Sequence, residues 1–221
     1  MPDPVARVAR LLLAAFGVAS LAACATPQPY DYTAYKLARP TSMLVLPPVN
    51  ETPDVLATYG VLSQVTLPLA EAGYYVVPVS LMDETFKQNG LSNAAEIQEV
   101  SAHKLREIFG ADAAVLIKVK RYGTTYAVIS SETTVAVEGR IVDLRSGQLL
   151  WQGNAVASSK EGDSANQGGL VGLLVKAVIQ QIVGTVSDAS YGFAGTANNR
   201  LLSPQKNGIL YGPRSPNYQK D

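Results

Sequence analysis

The 221-residue sequence has one cysteine, one histidine, one tryptophan and four phenylalanines. A single cysteine cannot close an intramolecular disulfide, so the chain tolerates an oxidising compartment without depending on it. With one cysteine and one histidine, no constellation of thiolate and imidazole ligands is available to a metal. Neither sign of charge is in surplus, since 18 Lys and Arg face 18 Asp and Glu. Nothing therefore stands ready to neutralise a phosphate backbone, and one Trp with four Phe offers few platforms for bases, which excludes nucleic acid as the expected partner. The GxSxG, P-loop and GxGxxG signatures are missing as well. No cofactor is expected. What remains is 47% hydrophobic and 16% charged, enough to bury the core of one domain with extensions.

The lone cysteine has a specific setting. Arg7 and Arg10 lead into the apolar run LLLAAFGVASLA, Leu11 to Ala22, which is too short to span about 30 Å of hydrocarbon and has the layout of a secretory signal. Its end, Leu21, Ala22, Ala23 and Cys24, resembles the bacterial lipobox. The chemistry asks for small side chains at Ala22 and Ala23 to enter a membrane-embedded peptidase, and for a thiol at Cys24 to take a diacylglyceryl group before cleavage. Cys24 then becomes the first residue of the mature protein, attached to the bilayer by its acyl chains. Ala25 replaces the Asp that marks inner-membrane retention in bacterial lipoproteins, so that resemblance implies the outer membrane, on its periplasmic face. Loss of residues 1–23 leaves a formal charge of −1.

The mature chain divides into three parts by composition. Residues 24–40 carry three Pro and three Tyr without apolar periodicity and read as a lipidated tether. Residues 41–190 read as an α/β domain, and 191–221, with four Gly and three Pro, as an extended arm. Within the domain, SMLVLPPV predicts a strand stopped by Pro47 and Pro48. Asp54 to Ala72 predicts a helix with a break at Pro68 and a C′ glycine at Gly73, and YYVVPVS a second strand. DETFKQNG is a short helical turn, and Asn93 to Gly110 one amphipathic helix with Ile97, Val100, Leu105 and Ile108 on its core face. Three antiparallel strands follow, with Val115, Ile117 and Val119 alternating against Leu116, Lys118 and Lys120, and a hairpin loop at Asp143 to Gln148. Residues 168–188 make a further helix, whose Lys176, Gln180 and Gln181 argue against a membrane span. The order β-α-β-α-β-β-β-α predicts a two-layer α/β sandwich with a mixed sheet of about five strands and helices packed on it.

Signals for an enzyme are few. Ser101 to Lys104, SAHK, satisfies S-x-x-K, but the accompanying K-T-G is absent. His103 lies in the amphipathic helix, where a structural role is the commoner one. GGLVG at 168–172 suits a glycine-eased helix start better than an anion cradle. Asn50 to Thr52 fits a glycosylation sequon, and Asp83 with Glu84 diverge on a helix. The more informative stretch is GILYGPRSP, whose Ile209, Leu210 and Tyr211 are too apolar for a solvated tail and are candidate partner-binding residues, unless the arm folds back on its own domain.

The segments RPTSMLVLPPVNETPDV, PLAEAGYYVVPVSLMDETFKQNGL, KLREIFGADAAVLIKV, VDLRSGQLLWQG and GILYGPRSPNY resemble a family of bacterial lipoproteins without an assigned activity, known from neisserial and other proteobacterial envelopes. ADAAVLIKV and VDLRSGQLLWQG also resemble the α/β domain shared by the TolB amino-terminal domain, the penicillin-binding-protein activator lipoproteins and the curli-secretion channel protein. The resemblance implies a TolB amino-terminal-like fold and an envelope protein partner, such as a curli-secretion-like lipoprotein, and it brings neither catalytic residues nor a small-molecule ligand. The reading is a non-catalytic binding or assembly module. A Ser/Lys enzyme centred on Ser101 and Lys104, and a self-assembling ring, are the alternatives.

Overall fold

The computed structural model describes residues 30–126, 131–161 and 189–220, and its first helix lies where the sequence suggested tether. Helix α1 (Thr33–Ala38) ends on Arg39 in the left-handed region at φ 45°. Its Tyr35 is buried and meets Tyr74 hydroxyl to hydroxyl at 2.9 Å. The body therefore begins at Tyr32, and Tyr32–Asp221 forms one compact unit. Six residues, TAYKLA, are too few to display a helical period, which is why they resembled tether.

Strand β1 (Ser42–Val45) and the two-residue β2 (Val49–Asn50) are separated by Pro47 and Pro48, which have no N–H to give a ladder. The predicted helix after them is two helices, α2 (Ala57–Leu62) and α3 (Thr66–Glu71). The break falls at 63–65, not at Pro68. Pro68 sits in the first turn of α3, where a backbone N–H has no intrahelical partner to lose. Gly73 ends this stretch at φ +97°, and β3 (Tyr75–Val76) follows. Helix α4 (Val79–Gln88) is longer than the turn predicted from DETFKQNG.

The predicted helix from Asn93 to Gly110 is also two, α5 (Ala94–Gln98) and α6 (Ala102–Phe109). Asn93 caps the first by accepting the Ala95 N–H at 2.8 Å, and Ser101 caps the second by accepting the Lys104 N–H at 3.4 Å. Ile97 and Leu105 are buried, while Ile108, near the end of α6, is 45% exposed and its neighbour Phe109 packs against Phe86 instead.

Strands β4 (Ala113–Tyr126), β5 (Ser131–Asp143) and β6 (Leu149–Ser158) match the alternation in the sequence. The sheet runs β3-β1-β4-β5-β6, with β2 also on β4, six strands among the described residues. Pairings of β1, β2 and β3 are parallel, and those of β4, β5 and β6 antiparallel. The mixed α/β sheet with helices packed on it is thus as predicted, with one strand more. The turn at 143–148 is held by Asp143, whose carboxylate accepts the Ser146 N–H at 2.8 Å and hydroxyl at 2.7 Å.

Helix α7 (Ala189–Leu202) occupies the beginning of the predicted arm. Phe193, Ala194, Ala197 and Leu201 are buried against the sheet. Gly139 lies directly under it, since a Cβ there would meet Leu201 Cδ2 at 2.9 Å. The Asn198 amide donates to the Val61 carbonyl at 2.8 Å and ties α7 to α2. Beyond α7 the chain forms a strap. Trp151 Nε1 donates to Asn207 O at 3.0 Å, the Tyr32 hydroxyl to Gly208 O at 2.5 Å, and the Tyr74 hydroxyl to Leu210 O at 2.7 Å. The strap is then pinned by Gly212 N–H to Ala72 O at 2.8 Å and Arg214 N–H to Gly73 O at 3.0 Å. The predicted helix over 168–188 and the GGLVG stretch lie outside the described residues.

Candidate functional site

The sequence-predicted anchor, Leu21 to Cys24, lies outside the described residues. Among those described, no helix is long and apolar enough to cross a membrane, and no group of three His, Cys, Asp or Glu is placed to hold a metal.

The S-x-x-K pair does not converge. The Ser101 hydroxyl is spent on its own helix N-terminus, and the Lys104 ammonium turns to Glu107 at 3.1 Å, both partners well exposed. His103 is exposed on the same short helix. Asn50 uses its amide oxygen for the Thr52 N–H at 2.8 Å and hydroxyl at 2.7 Å, which fixes a turn. Asp83 pairs with Lys87 at 2.6 Å and Glu84 with Gln88 at 2.9 Å, so the two carboxylates serve different partners.

Of the candidate partner-binding residues, Ile209 is 1% exposed and belongs to the core. Leu210 and Tyr211 are half-buried in the strap. They line a cleft of about 220 Å³ with Tyr35, Lys36, Arg39 and Tyr218. The arm does fold back on its domain, and what it leaves at the surface is this tyrosine-rich cleft. The signal that could have revealed it is the spacing of tyrosines, three before residue 40 and two after residue 210.

A second feature is electrostatic. Asp112, 8% exposed, joins four elements at one end of the sheet. Its Oδ2 accepts the Thr41 N–H at 3.0 Å and hydroxyl at 2.6 Å, and its Oδ1 pairs with Arg145 at 2.6 Å and Arg106 at 3.3 Å. Burial pushes the carboxyl upward, but the bonds from Thr41 and Arg106 and the charge of Arg145 outweigh it and hold it down at about 2. Donors from Thr41, Ser42, Arg106 and Arg145 converge on this carboxylate from separate segments and lock them together.

The third feature is the outer face of the antiparallel half of the sheet, which no described helix covers. Register places Lys118 opposite Glu138, Leu116 opposite Arg140, and Glu138 and Arg140 opposite Asn154 and Gln152. Glu138, Arg140, Gln152 and Asn154 are exposed, and so is Val156 at 45%. A cleft of about 210 Å³ opens there between Gln98, Leu116, Lys118, Glu138 and Arg140. Lys118 and Lys120 both reach Glu51 at its margin, which lowers the Glu51 carboxyl through the Lys120 contact first. Charged and amide groups thus alternate across the exposed face of this ladder.

A mixed six-stranded sheet with helices packed on it and a strap across one end defines an α/β fold. Comparison with known proteins narrows this. Residues 30–214 match the family described as "Putative lipoprotein GNA1162-like", and the chain belongs to it. A lipoprotein of Neisseria meningitidis serogroup B, NMB1124/NMB1162, is 48% identical over 207 residues, covering 92% of this chain and 95% of that protein. The crystal structure of lipoprotein GNA1162 from Neisseria meningitidis overlays with a TM-score of 0.54 at 49% identity, covering 66% of this chain and all of that one. The C-terminal domain of LpoB from Salmonella enterica is more distant, at 17% identity and a TM-score of 0.39 over 57% of this chain and 98% of that one, too loose a fit to carry an argument. The neisserial lipoprotein family recognised in the sequence is therefore the right one, and the chain is a member of an envelope lipoprotein family for which no catalytic function is indicated.

Proposed function

We propose that the protein is anchored to the outer membrane through acylated Cys24, after cleavage behind Ala23, and docks an envelope protein on the periplasmic side without performing chemistry. The observation that carries the docking role is the open face of β4, β5 and β6. Its Lys118, Glu138 and Arg140 lie on strands paired on both sides, and Gln152 and Asn154 on β6 at the end of the described sheet, so a partner meets preorganised groups and little conformational entropy is lost on binding. Charge alternation at such a rim favours specificity and orientation over raw affinity. A curli-secretion-like lipoprotein is the partner class that the sequence resemblance offers.

The arm beyond Tyr191 is not the place to test docking, because deleting it removes α7 and the strap and unfolds the body. The decisive experiment is co-purification of the lipidated protein from detergent-solubilised envelopes, comparing wild type with Lys118→Glu/Arg140→Glu and with the control Lys87→Glu/Lys104→Glu on distant helices. A specific envelope protein lost only with the first pair is the expected result. Equal recovery in all three refutes docking at this face. Labelling with radioactive palmitate, present in wild type and absent in Cys24→Ser, tests the anchor separately.

A further inference from the structure

The docking role leaves one constructed surface unused, the cleft between α1 and the strap. Four of the chain's 11 tyrosines line it, Tyr35, Tyr74, Tyr211 and Tyr218, and Tyr32 is bonded to the strap at Gly208. Tyr32, Tyr35 and Tyr74 are tied together by the bonds that hold the strap, and the Arg214 guanidinium lies 5.3 Å from the centre of the Tyr75 ring. Lys36 and Arg39, both exposed, flank the opening, and Arg39 is fixed beside Lys36 by a bond from its Nε to the Lys36 carbonyl at 3.1 Å. Between them Leu37 projects, 79% exposed. Tyrosines with an apolar body and a polar tip, cations and one protruding leucine are the side chains that settle at a lipid headgroup layer.

Position supplies the occupant. Eight peptide steps separate Cys24 from Tyr32, so a lipidated Cys24 keeps Tyr32 within about 29 Å of the bilayer even when the chain is drawn out fully. α1 begins at the next residue and adds about 9 Å over its six residues. The cleft is thus on the part of the body that the anchor holds closest in chain length to the membrane. At about 220 Å³ it is smaller than the roughly 300 Å³ at which pockets for drug-sized ligands begin, which suits a headgroup and leaves the acyl chains outside. The Arg39 guanidinium and the Lys36 ammonium are donors matched to a phosphodiester.

We propose that the cleft formed by α1 and the strap binds the phosphate of an anionic phospholipid headgroup, so that the body rests on the membrane and does not swing freely from its anchor. The orientation rests on the Cys24 reading above; the binding chemistry does not. The test uses the Cys24→Ser chain from residue 24 onward, which has no acyl anchor and retains the whole compact unit. It is mixed with vesicles of phosphatidylethanolamine alone, with vesicles that also contain phosphatidylglycerol, and with inorganic phosphate, and binding is read by co-sedimentation and by tyrosine fluorescence. The expected result is sedimentation that requires phosphatidylglycerol and falls about tenfold or more in Lys36→Glu/Arg39→Glu, while Lys87→Glu/Lys104→Glu, the same change of net charge elsewhere, leaves it nearly intact. Should the glutamate pair fail to fold, Lys36→Gln/Arg39→Gln is read in its place. Absence of sedimentation, equal loss in both charge-reversed pairs, or a response to inorganic phosphate without vesicle binding would each overturn the proposal. Because palmitate labelling of wild type is measured separately, a failure here leaves the anchor reading standing.

Discussion

Replacing Asp112 by Asn removes the negative charge at the junction of β1, α6, β4 and the turn before β6 while nearly preserving shape. In the folded protein this carboxyl is held at about 2, against an ordinary 3.8. The difference corresponds to about 2.5 kcal/mol of stability. The sign follows from the direction. A carboxyl whose folded value is depressed contributes fully above its unfolded value, and the contribution is lost as pH falls from about 4 through about 2. Asp112→Asn should therefore cost about 2.5 kcal/mol at neutral pH and lower the melting temperature by roughly 5–10 °C for a body of this size. Urea denaturation of the Cys24→Ser chain and its Asp112→Asn counterpart, repeated at falling pH, measures the gap directly. The gap should close toward acid, because wild type then protonates the same carboxyl while all other carboxylates are shared by both proteins. A gap absent at neutral pH, or one that stays constant as the pH falls, would refute the account of Asp112 as a charged lock.

Three further outcomes are expected. Gly73→Ala should destabilise by about 2–4 kcal/mol and free the strap to proteolysis, because the site has φ +97° and a Cβ would meet Ser215 N at 2.5 Å and Gly212 O at 2.9 Å; limited proteolysis with mass mapping reads it. Phe193→Ala, at 1% exposure under α7, should cost about 3–5 kcal/mol in the same urea assay, whereas a solvated arm would show no change. Ser101→Ala should cost about 1 kcal/mol as a lost N-cap, and Ser101 should not react with an acylating probe; labelling at Ser101 would revive the Ser/Lys reading.

The legible parts of the fold were those with a strong period. Val115, Ile117 and Val119 alternate against half-exposed or exposed neighbours, so β4 and its partners could be seen in the sequence, and Asp143 to Gln148 announced its turn. Helices 93–110 merged into one in the sequence because Ile97 and Leu105 keep a common face across the break, and only the cap at Ser101 separates them. α7 was hidden by Gly192, Gly195 and Asn198, which weaken helical propensity yet suit a helix that must lie close over Gly139. The strap has no period at all. Its order comes from bonds to residues 56 to 176 positions away, such as Leu210 O with the Tyr74 hydroxyl. The site was less legible for the same reason. The stretch at 209–211 drew attention correctly as too apolar for a tail, but whether such residues face inward or outward depends on long-range packing. The cleft with Lys36 and Arg39 exists only once the two ends of the chain meet.

The strap also sets the order in which the molecule can be completed. Synthesis delivers the chain from its N-terminus, and Tyr32, Tyr35 and Gly73 emerge long before the residues that secure them. Until Gly212 and Arg214 arrive to bond Ala72 and Gly73, the end of the sheet lacks its closure, even after the residues of α7 have emerged. Closing loops of this length is slow compared with local helix formation. The nascent chain thus stays unfinished and pliable for most of its delivery, and it locks only when its last residues are free, a timing written into the position of two hydrogen bonds.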